Sequence, residues 1–249
     1  MKYSKITSGT FVERPNRFVA YVKIPDQEEV ERVHVKNTGR CRELFIPGAS
    51  VILARAENSA RKTKYDLVAV YKEGFGWINI DSQAPNHVVR EWLEKKKEEE
   101  GYTCIRPETS YGNSRFDFYL ERGEERIYME VKGCTLEEEG RGYFPDAPTI
   151  RGTKHIQELI EAKKNGFRSI LAFVIQMEGI HRVYPNTTMD VAFSNAFYEA
   201  KEAGVEIWYL PCKVTEDSLE IDEKARPKRL RFGNGDAGLC PCGCGGSLV

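Results

Sequence analysis

The chain has 249 residues, 30% charged and 41% hydrophobic, which is enough for a buried core in one large or two modest domains. No stretch approaches the roughly 18 uncharged residues of a membrane span, and "MKYSKITSGTFVERPNRF" lacks the apolar segment of a secretory signal; the expected setting is cytoplasmic, with no membrane partner. The net charge of −1 conceals an asymmetry, with 14 Lys/Arg against 9 Asp/Glu in residues 1–80 and 23 against 29 in the remainder.

Residues 1–82 read as a β domain. "RFVAYVKI" (17–24), "RVHVK" (32–36), "SVILARA" (50–56) and "YDLVAVYK" (65–72) are short, β-branched and roughly alternating, with turn residues in "PDQEE", "KNTG" and "IPGAS" between them. Short strands without a helix fit a small barrel, and the OB-fold is the common nucleic-acid-binding example. Cations gather in two loop-like stretches, Arg40 and Arg42 in "VKNTGRCR", and Arg61, Lys62 and Lys64 in "ARKTK", where they can reach phosphates. Solvated surface charge would give the same composition.

Residues 83–235 alternate helix and strand. "QAPNHVVREWLEKKKEEEG" (83–101) has helical period, with Asn86 as the expected N-cap, Val88, Val89, Trp92 and Leu93 as an apolar stripe, and Gly101 as the stop. Hairpin-like strands follow, then a Gly-rich stretch (137–152), a helix from about Thr153 to Asn165, the apolar strand "SILAFVIQ" (169–176), a helix around 188–203 and the strand "VEIWYL" (205–210). This order predicts a mixed α/β domain.

The hairpin "RFDFYLERGEERIYMEVKG" (115–133) sets three charges among core residues. Residues two apart on a strand share a face, so Glu130 and Lys132 point together, and Asp117 can meet them if the strands pair. Such a cluster is a weak structural device, because desolvation offsets much of the ion-pair gain. As a reactive device it is coherent. Two carboxylates suit a hard divalent ion such as Mg²⁺ or Mn²⁺, and a lysine beside it can orient water or stabilise developing charge. The D-x(n)-E-x-K arrangement resembles the core of restriction-endonuclease-like nucleases of the PD-(D/E)xK type; E-x-K alone is a weak pattern.

"NRFVAYV", "VKNTGRC", "PNHVV", "PETSYGNSRFDF", "MEVKGCTL", "GYFPDAPTIRGTKHIQEL" and "EAGVEI" together resemble the sugar fermentation stimulation protein family, from about Phe11 to Leu210. The resemblance implies an N-terminal OB-like barrel, a C-terminal restriction-endonuclease-like domain and non-specific DNA binding. It also implies that Asp117, Glu130 and Lys132 form a nuclease-type triad, with Asp117 and Glu130 as the metal carboxylates. An extra acid could come from Glu108 or from Glu91. Asp146 fits either a turn or the site. Arg115 could clamp a phosphate, and Arg151 and Lys154 sit at a helix start, where anions are favoured. His155 reads as a packing or supporting residue rather than a general base, and His34, His87 and His181 receive no role.

Seven cysteines, with Cys41, Cys104, Cys134 and Cys212 scattered singly, suggest reduced thiols. The tail (236–249) places Cys240, Cys242 and Cys244 at alternate positions, short of the four ligands of a closed zinc site, and is expected to be flexible. Three functions compete: a Mg²⁺-dependent nuclease with its own DNA-binding barrel, a DNA-binding regulator of sugar-utilisation genes with a silent core, and a metal enzyme of sugar metabolism. The third lacks a Rossmann fingerprint, a P-loop or a His-rich site. The intact Asp/Glu/Lys set favours the first, since carboxylates near phosphate repel DNA unless a metal lies between. A homo-oligomer is left open.

Overall fold

The computed structural model describes residues 1–225 except 38, 59 and 113; the cysteine-rich tail expectation lies outside the described residues. The first half contains β1 (Ile6–Asn16), β2 (Val19–Lys23), β3 (Val30–Val35), β4 (Ser50–Arg55), β5 (Tyr65–Lys72) and β6 (Gly76–Asn79). They run in the order β3-β2-β1-β4-β5-β6, and a parallel pairing of β3 with β5, His34 opposite Asp66 and Val35 opposite Leu67, closes the first five into a barrel.

Alternation explains its filling. Ala20, Val22, Val33, Val35, Val51, Leu53, Leu67 and Val70 point inward. The opposite faces of β4 and β5 are also buried, because Tyr3, Ile6 and Trp77 cover Ile52, Ala54, Val68 and Ala69. Sequence periodicity missed β1, "ITSGTFVERPN", which mixes Thr, Ser, Gly and charges. Gly9 is needed there, since a Cβ would lie 2.4 Å from Val22 Cγ1 and 3.1 Å from the Lys23 carbonyl oxygen.

The second half contains α1 (Ala84–Lys95), α2 (Lys97–Glu100), β7 (Cys104–Tyr111), β8 (Ser114–Arg122), β9 (Glu125–Cys134), β10 (Leu136–Glu138) and β11 (Arg141–Phe144). After these come α3 (Ile150–Lys164), β12 (Arg168–Ile175), β13 (Val183–Pro185), α4 (Val191–Glu202), β14 (Glu206–Val214) and β15 (Leu219–Ile221). The main sheet runs β15-β14-β12-β9-β8-β7, with β9, β12 and β14 parallel and β7, β8 and β9 an antiparallel meander. α1 covers one face through Val88, Val89, Trp92 and Leu93. α3 and α4 cover the other through Ile156, Leu159, Phe193 and Phe197, so β12 is buried on both sides and nearly wholly apolar.

Two helix expectations need correction. The predicted helix 83–101 divides at Lys96, and Gln83, not Asn86, precedes its first turn; Gly101 does end the second piece with φ 70°. Pro85 fits the first turn because its missing N–H would be unbonded there anyway. The other is α3, which starts three residues before Thr153, where Thr149 Oγ1 accepts the Gly152 N–H at 3.0 Å.

The barrel is joined to the α/β domain by a polar seam. Gln176 Nε2 donates to Asn79 Oδ1 at 2.9 Å and to the Asp81 carbonyl at 3.1 Å, while Lys36 Nζ and Tyr3 Oη both reach Asp81 Oδ2. On another side Lys72 pairs with the buried Glu137 at 2.5 Å.

Candidate functional site

The β8–β9 ladder runs from Arg122 opposite Glu125 to Phe118 opposite Met129 and goes no further. At the next position the Asp117 side chain takes over. Its Oδ2 accepts the Val131 backbone N–H at 2.7 Å, and its Oδ1 accepts Asn86 Nδ2 from α1 at 2.8 Å. Asn86 thus serves the Asp117 carboxylate instead of capping the helix.

On β9, Ile127, Met129 and Val131 pack beneath α1, so Tyr128, Glu130 and Lys132 face the opposite side, where α3 lies. Glu130 is 2% exposed. Its Oε1 accepts Lys132 Nζ at 2.5 Å and is bonded to His155 Nδ1 from α3. His155 Nε2 accepts Arg151 Nε at 3.3 Å, which assigns the ring proton to Nδ1 and makes His155 the donor to Glu130.

Glu130 Oε2 is buried and has no hydrogen-bond partner among the described residues. A buried carboxylate oxygen without a partner is costly. A divalent cation would satisfy it. Asp117 retains lone pairs after its two bonds, so the two carboxylates fit a hard ion that keeps several waters. Among the described residues no group of three or more His, Cys, Asp and Glu stands together as a metal-binding set.

The two carboxylates differ in acidity. Burial and the neighbouring charge of Glu130 push Asp117 above the usual aspartate range. Burial acts in the same direction on Glu130, but Lys132 and His155 outweigh it and hold Glu130 below its ordinary value.

Beside the triad lies a cavity of about 540 Å³ lined by Ser114, Arg115, Ile150, Arg151, Lys154 and His155. Three cations singled out from sequence therefore meet at one opening. Glu108 is exposed and pairs with Arg115 at 3.3 Å, in the left-handed region at φ 51°. Glu91 instead pairs with the Met1 amino group at 2.7 Å, and Asp146 reaches toward the barrel, where a Cβ on Gly39 would lie 2.2 Å from its Oδ2.

The barrel cations separate into two kinds. Lys62 is exposed, and among the described residues Lys64 pairs with Glu31 at a long 3.4 Å. Arg61 already has a protein partner: its Nη1 and Nη2 donate to Asp66 at 3.0 and 2.7 Å, while the side chain stays partly exposed. Arg40 and Arg42 line a second cavity of about 650 Å³ with Arg14, Arg17, Phe45 and Ala147. Arg14 and Arg17 were missed because neither belongs to a cationic run; only the fold brings them to Arg40.

A closed five-stranded barrel joined to a sheet that carries Asp, Glu and Lys at the splayed end of a hairpin defines an OB-barrel protein with a restriction-endonuclease-like α/β domain. The chain belongs to the sugar fermentation stimulation protein family: residues 12–80 match the SfsA N-terminal OB domain and residues 83–218 the sugar fermentation stimulation protein RE domain. It is 53% identical to a sugar fermentation stimulation protein homolog of Desulfitobacterium hafniense over 90% of this chain and 96% of that one. Against the homolog of Ruminiclostridium cellulolyticum the identity is 48%, over 90% of this chain and 98% of that one. The structure of Pyrococcus furiosus SfsA in complex with Ca²⁺ superposes with a TM-score of 0.77 at 30% identity, covering 91% of this chain and 94% of that one. Among the described residues no helix is long and apolar enough to cross a membrane.

Proposed function

We propose that the protein binds DNA without strong sequence preference and hydrolyses its phosphodiester backbone with a divalent metal. The observation that carries this reading is the buried Glu130 Oε2 beside Asp117, without a hydrogen-bond partner among the described residues. Asp117 and Glu130 would hold Mg²⁺ or Mn²⁺, which when bound polarises a phosphodiester and acidifies water. The relative solved with Ca²⁺ supports a hard divalent ion in this family.

The chain's own residues supply the rest. His155, fixed by Arg151, holds Glu130 in place and favours its ionised form. Lys132, already against Glu130, would orient the attacking water or stabilise the charge that develops on phosphate. Arg115, Arg151 and Lys154 would hold the flanking phosphates as charge-assisted donors. Arg40, Arg42, Lys62 and Lys64 would extend the contact onto the barrel.

Incubation with plasmid and single-stranded DNA, with and without Mg²⁺ or Mn²⁺, tests the proposal. Metal-dependent scission is expected, and binding without scission under every condition would favour a DNA-binding regulator with a silent core.

A further inference from the structure

Ile150, the first residue of α3, is 91% exposed and lines the same cavity as Arg115, Arg151 and Lys154. Single exposed aliphatic residues are common on protein surfaces. This one stands at the mouth of the candidate cleavage site, and its place in the chain gives it meaning. Ala147, three residues earlier, lines the barrel cavity with Arg14, Arg17, Arg40, Arg42 and Phe45. Three residues span at most about 11 Å, which is about three nucleotide steps at the spacing of one duplex strand. Ile150 at one cavity and Ala147 at the other are therefore separated by only a few nucleotide spacings.

The barrel cavity has the makings of a single-strand site. Arg14 shapes its wall, donating to the backbone carbonyls of Arg40, Arg17 and Asn37 at 2.8–2.9 Å while its guanidinium stacks 4.6 Å over Phe45. Arg17, Arg40 and Arg42 form no ion pair among the described residues and are available to phosphate. Glu13 is the one acid among the lining residues. Phe18, in the β1–β2 turn beside the cavity, is 46% exposed, and its ring already stacks with the Arg17 guanidinium at 4.9 Å. Cationic grooves with exposed aromatic faces hold unpaired strands, because each base offers a π-face and each phosphate a charge.

We propose that the substrate is DNA with an unpaired segment. In this reading, which rests on the proposed nuclease function, Ile150 is a specificity residue that wedges into the base stack beside the scissile phosphate. The unpaired bases of the same strand then continue into the Arg17/Arg40/Arg42 cavity of the barrel. Apolar wedges act this way in other DNA-binding proteins, and unstacking is least costly where pairing is already absent. A continuous duplex would have to be opened first.

Fluorescence anisotropy in EDTA, where metal-dependent cleavage is silent, tests this at one fixed salt concentration. The probes are a labelled single strand, a blunt duplex and a duplex with a single-stranded overhang. The overhang and the single strand should bind about tenfold or more tightly than the blunt duplex, as expected from stacking one or two bases. Arg17→Glu and Arg42→Glu should remove most of that preference. 2-Aminopurine at the junction should brighten on binding to the wild type and stay dim with Ile150→Ser, a substitution that an exposed site tolerates. Equal affinity for all three DNAs, or unchanged brightening with Ile150→Ser, would overturn the proposal. Metal-dependent cleavage of blunt duplex without the preference would overturn it alone, whereas a retained preference without any cleavage would overturn only the nuclease reading.

Discussion

His155 donates its Nδ1 proton to Glu130 Oε1 from within α3, so the helix that carries the cavity cations Arg151 and Lys154 also fixes the buried carboxylate of β9. Arg151 completes the relation by donating to His155 Nε2 at 3.3 Å from one turn earlier. Rotation of α3 would move the cations and the carboxylate together.

His155 is therefore a positioning residue. Replacing it with Ala should weaken Mn²⁺ affinity about tenfold or more, the usual effect of losing a group that orients a metal ligand. DNA affinity in EDTA should stay within about twofold, because His155 is buried and carries no phosphate contact in this account. Calorimetric titration and anisotropy measure the two quantities separately. His155→Gln, which can still donate to Glu130, should recover part of the loss.

Asp117→Asn should abolish Mn²⁺ binding with little effect on stability. The amide oxygen can still accept the Val131 N–H, and a flipped Asn86 side chain can accept from the new amide NH2, so the main loss is the charge. Calorimetry with wild type and variant decides this; equal binding would mean that Asp117 is not a ligand.

The barrel should weaken in acid through Asp66. Burial opposes its ionised form, but Arg61 and His34 outweigh burial and hold its carboxyl below the usual range. A depressed carboxyl stabilises the fold above the unfolded-state value near pH 4, and that stability is lost as pH falls through the lower folded value. Asp66→Asn should cost about 1–3 kcal/mol at neutral pH and make unfolding less sensitive to pH below 4. Urea unfolding across pH 2–7 tests the sign, and an unchanged acid slope would refute it.

Arg61 and its neighbours should behave differently. Lys62→Glu and Lys64→Glu should each reduce the slope of log affinity against log salt by about 0.9 on duplex DNA. Arg61→Ala should act first on thermal stability, since its guanidinium is clamped to Asp66. A slope reduced by about 0.9 with Arg61→Ala and no change in melting would restore it to the DNA surface.

Much of this was legible because strand parity is a strong signal. The two-residue spacing of Glu130 and Lys132 put them on one face, and apolar Ile127, Met129 and Val131 put that face away from α1. Four barrel strands, β2 to β5, and the helices expected near 153–165 and 188–203, found at Ile150–Lys164 and Val191–Glu202, followed from similar periodicity; the strand order and β1 did not. Pairwise meetings across the fold did not. Asn86 has every local mark of an N-cap, yet the end of β8 lies close enough for its amide to bond Asp117, and no sequence spacing records a separation of 31 residues closing to 2.8 Å. Arg61 sits in a cationic run, and only closure of the barrel by β3 and β5 reveals Asp66 and His34 around it. His155 carried a weak signal as one histidine among charged neighbours; its partner became visible when α3 packed on β9.

Lys132 separates cutting from binding, because its proposed action belongs to the transition state and not to the bound ground state. Plasmid and overhang DNA are incubated with Mg²⁺ or Mn²⁺ and wild type, Lys132→Ala or Lys132→Arg, with DNA affinity measured in parallel. The account predicts metal-dependent cleavage by wild type, its loss in Lys132→Ala with nearly unchanged affinity, and incomplete recovery in Lys132→Arg, whose wide guanidinium cannot replace a compact ammonium. Cleavage that survives Lys132→Ala, or a wild type that binds DNA and never cuts it with either metal, would contradict it.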